Sequence, residues 1–491
     1  MRWITLLSKS RNSGHSNLHP RRCRTSIVRS FSTITLLSFT TVGGAHADKI
    51  DRYVTAQMAK QHIPALSLAV LKNGTPAKLK GYGLANVELK VRATPETVYQ
   101  IGSMSKQFIA AGIVLLSDEG KLGLDDSVRK YFPDAPEPWS AITLRHLLTH
   151  TSGLQREAPG SVVQAKSDIE TITSSYSMPL AFAPGEKWQY SNLGYCVLAE
   201  IISRTAHMPW TEYLEQRIFK PLAMNATRTT TAAELIPHRA DGYHWTDSNV
   251  YRNAPVTQSV RPSGAFISTV CDLAKWDAAL YSDKVLTEEQ RRLMWTEVKL
   301  KDGSEKPYGF GWELGKLGRH TQVKHAGTML GFRSQILRLP DDHLTIIVLT
   351  NATQAMPEKI AAGIASFYIS DLKGPQIQRK ATVLPAEILD GYSGRYQFPG
   401  RVITVERNHN ELELSMPMAI PALGPEVAAL LHGVSMNLAT LTPENRNRFF
   451  DEDNPTSTYV FATDDDGRVQ LSLENAEGKI LQKGSKMTQE H

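Results

Sequence analysis

Cysteine is scarce in this sequence: Cys23, Cys196 and Cys271 are the three among 491 residues. A chain with so few cysteines is not a disulfide-dense mini-domain. It has no Cys-x-x-Cys, no His-Glu-x-x-His and no Gly-x-Ser-x-Gly, so common metal-site patterns and the nucleophile motif of α/β-hydrolases are missing. Cys196 and Cys271 lie in helix-like surroundings, and we predict that both are buried apolar residues rather than a disulfide.

Acidic residues are absent from residues 1–47, which carry seven Lys or Arg. Basic residues, then the apolar stretch Phe31–Val42, then Ala45-His-Ala47, are typical of a secretory signal with a small-x-small cleavage site. The apolar stretch is shorter than the ~20 residues that span a bilayer, and no other stretch is long and apolar enough. We therefore predict cleavage before Asp48, an exported bacterial protein (periplasmic or secreted), and no stable membrane span.

The formal charge of +6 does not indicate a nucleic-acid partner. Without residues 1–47 the chain has 48 basic and 49 acidic residues, which is close to neutral. An excess of basic residues is the electrostatic signature of nucleic-acid binding, and the mature chain has none. Hydrophobic content of 41% and charged content of 21% are ordinary for globular domains, and the length suffices for two or three of them.

Strand signals occur at both ends of the region before residue 374, and helical signals lie between them. Ala65–Leu71 and Ala77–Tyr82 flank Asn73-Gly74, which is a strong hairpin signal. Short β-rich runs return late in the region, at 308–314, 321–325, 332–339 and 344–350. We therefore predict an α/β domain over 48–374, with an antiparallel sheet built from its N- and C-terminal parts, flanking helices and a mainly helical insertion.

The last hundred residues have a different pattern. Residues 375–386 begin with a proline, carry a second one near their end, and are predicted to be a linker. Short alternating strands are indicated beyond it, at 401–406, 411–415, 457–461 and 469–473. We predict a small all-β domain over 387–491, either a sandwich or a lipocalin-like barrel.

A serine and a lysine three residues apart open an apolar helical run. After Ser103 and Lys106 the apolar residues recur at helical spacing, at Phe108, Ile109, Ile113, Leu115 and Leu116. Such a helix is expected to be buried, and a buried lysine is costly unless it has a partner. An amine one turn away can activate the serine as a nucleophile, and a helix N-terminus suits an oxyanion. The alternative is an N-cap serine followed by a lysine that reaches solvent.

Two further motifs contain polar groups that suit the same chemistry. Tyr190-Ser-Asn192 places a phenol and an amide on one side of an extended segment. A phenol beside an ammonium is expected to have a lowered pKa and to act as a base. His325-Ala-Gly327 lies on a late strand, where glycine lets a substrate approach and the edge N–H groups suit an oxyanion hole. The alternatives are an aromatic residue at a capped helix start and a strand-end histidine before a turn.

Together and in this order, the motifs resemble the penicillin-recognising serine hydrolases, which include class C β-lactamases, low-molecular-weight penicillin-binding proteins, D-aminopeptidases and related esterases. The stretches that carry the resemblance are Gly102–Gln107, Gly120–Asp126, Ile142–Leu154, Pro184–Asn192 and Ser268–Ala274. The resemblance implies a β-lactamase/transpeptidase-like fold in which Ser103 forms an acyl-enzyme and Lys106 and Tyr190 share acid–base duty. It also implies substrate-binding roles for Asn192, His325, Gly327 and Thr328, with the N–H groups of Ser103 and Thr328 as the oxyanion hole.

The sequence departs from the family pattern at one informative position. Many members have Lys-Thr-Gly where this chain has His325-Ala-Gly327, and a histidine is mostly neutral at pH 7. We therefore predict hydrolysis of a small ester, or of a D-amino-acid peptide or amide. The alternatives are a β-lactamase or DD-carboxypeptidase, and a non-catalytic binder of cell-wall peptides or β-lactams. No cofactor and no metal are expected, although His146 and His150 are four residues apart, a spacing that can hold zinc.

Overall fold

The computed structural model describes residues 44–159, 166–231, 233–246, 249–254, 261–373, 379–417, 433–451, 454–475 and 477–487. The predicted signal segment lies outside these residues up to residue 43. The helices are α1 (Gly44–Lys60), α2 (Lys106–Asp118), α3 (Leu144–Leu148), α4 (Asp168–Thr173), α5 (Asn192–Ala206), α6 (Trp210–Leu214), α7 (Val270–Ala279), α8 (Glu288–Met294), α9 (Pro357–Tyr368) and α10 (Ala386–Tyr392).

The strands of the region before residue 374 are β1 (Ala65–Lys72), β2 (Thr75–Asn86), β3 (Val91–Arg92), β4 (Tyr99–Gln100), β5 (Arg228–Thr229), β6 (Tyr243–Trp245), β7 (Tyr251–Asn253), β8 (Phe266–Ser268), β9 (Val298–Lys299), β10 (Glu305–Lys306), β11 (Glu313–Leu317), β12 (His320–Met329), β13 (Phe332–Leu339) and β14 (Leu344–Thr350). Those after it are β15 (Gly394–Phe398), β16 (Arg401–Asn408), β17 (Glu411–Pro417), β18 (Ser435–Pro443), β19 (Arg448–Asp451), β20 (Asn454–Thr463), β21 (Val469–Glu474) and β22 (Ile480–Lys486).

The main sheet has the order β11-β12-β13-β14-β1-β2-β3, and the pairings between its strands are antiparallel. The first hairpin therefore pairs with the last strand of the domain, with Leu66 opposite Thr350. This confirms the predicted sheet of N- and C-terminal parts. Helices cover both faces, and this is why β1 is buried along nearly its whole length.

The two faces of the sheet bury different clusters. Leu66, Leu68 and Val70 pack against α1 and α9, whereas Ala65, Ala69 and Leu71 belong to the larger cluster that contains α2, α5 and α7. Side chains alternate across a strand, so one strand serves both clusters. Both cysteines among the described residues are free: Cys196 is buried in α5 and Cys271 is half-buried in α7.

The strand predicted over 308–314 is wrong. Tyr308, Phe310 and Trp312 are all buried, and this alternation mimics a strand. However, Gly309 donates its N–H to the Trp312 carbonyl and Phe310 donates to the Met294 carbonyl, so these residues form a loop. The strand β11 begins only at Glu313, and the loop before it packs against the site described below.

The C-terminal strands form a closed eight-stranded barrel, in which β15 pairs with β22. The barrel alternative is thus confirmed over the sandwich. Residues 379–385, in the predicted linker, have no regular structure, and α10 then packs Leu389 into the barrel core. The barrel contacts the first domain through Asp451, whose carboxylate lies 3.3 Å from Lys359 Nζ and 3.6 Å from Lys60 Nζ.

Candidate active site

Ser103 lies in a 3₁₀ turn, Gly102–Ser105, that leads directly into the buried helix α2. The turn packs against β12 so closely that a Cβ on Gly102 would lie 2.7 Å from the Thr328 nitrogen. A Cβ on Gly327 would overlap the Ile101 carbonyl oxygen. Both glycines are therefore explained by the approach of two backbones within the protein, and Gly327 meets Ile101 rather than an open groove. Thr328 is half-buried, with its backbone next to the serine turn.

Lys106 is fully buried at the start of α2, in the turn after Ser103. Its Nζ donates to three oxygen atoms: Asn192 Oδ1 at 2.7 Å, the Ser263 carbonyl at 2.9 Å and Ser103 Oγ at 3.2 Å. Burial lowers the pKa of Lys106 to about 7, although the nearby Glu157 carboxylate acts in the opposite direction. A large fraction of this amine is thus neutral at neutral pH.

The three partners of Lys106 determine where its lone pair points when it is neutral. The Asn192 amide oxygen and the Ser263 carbonyl can only accept hydrogen bonds. A neutral amine has two N–H bonds, and both are needed for these two acceptors. Its lone pair then faces Ser103 Oγ, which becomes the donor of their shared hydrogen bond. This is the arrangement that removal of a proton from the serine requires.

Tyr190 lies beside Ser103, and the centroid of its ring lies 4.7 Å from Lys106 Nζ. Burial raises the pKa of Tyr190, and its interaction with Ser103 opposes this only in part. The expectation that Lys106 would lower this pKa is therefore wrong. Because burial also favours neutral Lys106, the ammonium that would stabilise a phenolate is lost as the pH rises through about 7.

Asn192 is the first residue of α5, after the N-cap Ser191. Its Oδ1 contacts Lys106, while its Nδ2 donates to the carboxylate of Glu157. The other oxygen of Glu157 lies 3.3 Å from Arg261 NH1, and both side chains of this ion pair are largely buried. Burial raises the pKa of Glu157, opposed by its partners. This carboxylate orients the Asn192 amide so that oxygen, not nitrogen, faces Lys106.

His325 is buried at the site but closed off by Tyr308. Its Nδ1 lies 2.7 Å from the Ala326 carbonyl oxygen, which only accepts, so Nδ1 carries the proton. Nε2 then accepts from the Tyr308 hydroxyl at 2.9 Å. Burial lowers the pKa of His325 to about 3. The ring is neutral and both nitrogens are occupied, so any effect of His325 on a substrate would be indirect.

The spacing of His146 and His150 does not produce a metal site. His146 lies in α3, and its Nδ1 accepts the Thr143 N–H. His150 lies beyond the helix with a φ of 61°, and its Nδ1 accepts the Ser191 N–H. The His150 ring instead packs 4.3 Å from the ring of Tyr190. Within the described residues, no group of three or more His, Cys, Asp and Glu residues is arranged to hold a metal ion.

Sequence reasoning missed several residues of this site. The structure brings Ser103, Lys106, Tyr190 and Asn192 together, with the His325 ring 6.4 Å from that of Tyr190. It adds Glu157, Arg261, the Ser263 carbonyl, Tyr308 and Arg156, none of which belongs to the three motifs. Glu157 lies three residues after the family-like stretch 142–154. This short separation was the one feature of the sequence that could have indicated Glu157 as a site residue.

A serine bonded to a buried lysine whose pKa is lowered to about 7, on this mixed α/β fold, defines a class of protein, the serine hydrolases with a lysine partner. The family model described as Beta-lactamase matches residues 50–367, and the chain belongs to this family of serine hydrolases. Among its relatives, penicillin-binding protein 4* of Bacillus subtilis (strain 168) is 28% identical over 341 residues, 64% of this chain and 75% of that protein. Protein flp of Staphylococcus aureus (strain NCTC 8325 / PS 47) is 30% identical over 322 residues, 64% of each chain.

Solved structures agree with this assignment. The octameric penicillin-binding protein homologue from Pyrococcus abyssi superposes with a TM-score of 0.64 at 25% identity, over 90% of this chain and all of that chain. A D-amino acid amidase from Ochrobactrum anthropi SV3, complexed with L-phenylalanine, has a TM-score of 0.57 at 23% identity, over 67% of this chain and all of that one. At this level of identity, the similarity to the D-amino acid amidase shows a shared fold and nothing further.

Proposed function

We propose that this protein cleaves an ester or small amide through a covalent acyl-enzyme on Ser103. The observation that carries the proposal is the hydrogen bonding of Lys106, whose neutral amine has its lone pair left for the serine hydroxyl. Lys106 is then the base in acylation, since its pKa of about 7 lies near the operating pH. Tyr190, with its raised pKa, is the neutral proton donor.

In acylation, Lys106 takes the proton of Ser103 Oγ as Oγ bonds to the substrate carbonyl carbon. The N–H groups of Ser103 and Thr328 stabilise the oxyanion that forms. When the bond to the leaving group breaks, that group takes a proton from the Tyr190 hydroxyl, and Lys106 returns its proton to Tyr190. In deacylation, water gives a proton to Lys106 and adds to the acyl carbon. Ser103 Oγ then leaves as it takes this proton back from Lys106, and the acid is released.

The substrate class follows from what the site offers. The β12 strand supplies no cation at position 325, because His325 is neutral and covered by Tyr308. We therefore infer small esters and D-amino-acid amides as substrates in preference to β-lactams. One relative is named a penicillin-binding protein, and the D-amino acid amidase shares its fold with this chain.

The test is covalent labelling combined with a substrate panel. A fluorophosphonate should label the wild-type protein on Ser103, and Ser103→Ala should abolish both the label and hydrolysis of p-nitrophenyl butyrate. D-phenylalanine amide and nitrocefin complete the panel. Ester hydrolysis that survives in Ser103→Ala would remove Ser103 from the mechanism. Efficient nitrocefin turnover with little ester activity would restore the β-lactamase alternative.

We also propose that the mature protein begins at Asp48 and acts outside the cytoplasm. The support is the signal-like composition of residues 1–47. Within the described residues, none of the helices has the length and apolar character needed to cross a membrane. N-terminal sequencing of the secreted or periplasmic protein should begin at Asp48, whereas a cytoplasmic protein that retains Met1 would contradict export.

A further inference from the structure

Arg156 is an exposed residue whose guanidinium lies against the ring of Tyr190, 5.1 Å from the ring centroid. Its backbone carbonyl accepts the N–H of Asn192 at 2.8 Å. The backbone of Arg156 is thus tied to the segment that contains Tyr190 and Asn192. Tyr190 in turn interacts with Ser103, so one side chain connects this guanidinium to the nucleophile.

Among the described residues, no carboxylate lies within ion-pair distance of the Arg156 guanidinium. Glu157 is the acidic residue nearest in sequence, but its two oxygens contact Asn192 and Arg261. Within the part of the chain that the structure describes, Arg156 forms no ion pair. An exposed arginine that lies on Tyr190 and forms no ion pair among these residues has N–H donors in a planar fork, which matches the geometry of a carboxylate.

The position of Arg156 also indicates which part of a substrate it would meet. It lies on Tyr190, the group that we assign as proton donor to the leaving group. The strand position 325, by contrast, offers only a neutral and covered histidine. A carboxylate that is part of the leaving group would therefore lie closest to the Arg156 guanidinium, on the Tyr190 side of the site.

We propose that Arg156 binds a carboxylate carried by the leaving group, so that the preferred substrates are esters or amides whose departing alcohol, phenol or amine is anionic. This inference rests on the proposed function. Charge-assisted hydrogen bonds of this kind correspond to about a ten- to hundredfold preference in binding. Arg156 would thus act as a specificity residue, at a place that the three motifs do not include.

The experiment compares two esters that differ only in charge, 3-carboxyphenyl butyrate and 3-carbamoylphenyl butyrate. Both are assayed at pH 8.5, where Lys106 is neutral and a small change in its pKa has no effect on the rate. The wild-type enzyme should favour the carboxylate ester in kcat/KM. Arg156→Gln should lower the ratio of the two kcat/KM values at least about tenfold, mainly through KM. Arg156→Lys should restore part of the ratio, and added salt should reduce it in the wild type.

Lys187→Gln is the matched control, because Lys187 is an exposed cation three residues before Tyr190. It should leave the ratio as in the wild type. The proposal is overturned if Arg156→Gln slows both esters equally, since Arg156 would then act through Tyr190, or if Lys187→Gln lowers the ratio as much. Failure of the proposed function has a different signature, which is turnover of both esters by Ser103→Ala.

Discussion

Replacement of Glu157 by glutamine should move the acid limb of the kcat/KM profile to lower pH. In the wild type we expect this limb near pH 7, because Lys106 must lose its proton before it can accept one from Ser103, and its pKa is about 7. The Glu157 carboxylate raises the pKa of Lys106. Glutamine removes the charge but keeps an oxygen that can accept from Asn192 Nδ2.

The size of the shift follows from the geometry. Two hydrogen bonds through the Asn192 amide connect Lys106 Nζ to Glu157, so the two charges lie roughly 7 Å apart. At an effective dielectric constant of about 20, their attraction is about 2 kcal/mol, or roughly 1.5 pKa units. Arg261 also loses its counter-charge, and this too lowers the pKa of Lys106. We expect the limb to move down by about one to two units.

The assay is p-nitrophenyl butyrate hydrolysis from pH 4.5 to 9, read at the isosbestic wavelength of p-nitrophenol. The position of the limb is independent of the amount of active enzyme, so partial loss of folded protein does not affect it. Glu313→Gln is the control, because Glu313 is a carboxylate near Tyr190 that is not among the causes of the Lys106 shift. A limb that stays in place or moves up in Glu157→Gln would refute Lys106 as the base, as would an equal shift in Glu313→Gln.

Three further predictions concern single elements of the structure. Tyr190→Phe should lower kcat on an amide by at least ~100-fold, because the leaving amine loses its proton donor; rates equal to wild type would exclude that role. Tyr308→Phe should lower the free energy of unfolding by about 1–3 kcal/mol, because His325 Nε2 would be buried without a donor. Urea unfolding measures this against Tyr213→Phe, whose buried hydroxyl has no partner among the described residues. A chain that ends at residue 374 should still hydrolyse a small ester, since the three motifs lie within 103–327 and we propose 387–491 as a separate module; a folded but inert chain would place part of the barrel in the site.

Local features of the sequence were enough to predict much of the fold. Asn73-Gly74 between two short β-rich runs predicted the first hairpin, and the spacing of apolar residues after Ser103 predicted a buried helix; both are confirmed. These signals involve neighbours in the chain, so the sequence contains all the information they need. The placement of Lys106 one turn from Ser103 is of the same kind, because three residues along a helical segment define a single face.

Contacts between distant residues depended on the tertiary structure. Glu157 reaches Asn192 across 35 positions, and Lys106 reaches the Ser263 carbonyl across 157. Closure of the barrel similarly joins β15 to β22, whereas the alternation within each strand is the same in a sandwich. No spacing rule links such residues, because their separation in the chain does not determine their separation in space.

Burial had the largest effect on the chemistry. The sequence predicts that Lys106 is an ammonium that lowers the pKa of Tyr190. In the structure, the surrounding helices and β12 remove water from both groups, so the pKa of Lys106 falls and that of Tyr190 rises. The sequence alone therefore determined which groups meet along the helix start and which family the chain resembles. Our proposal that Lys106 is the base rests on the tertiary structure alone, because desolvation depends on every element packed around the site.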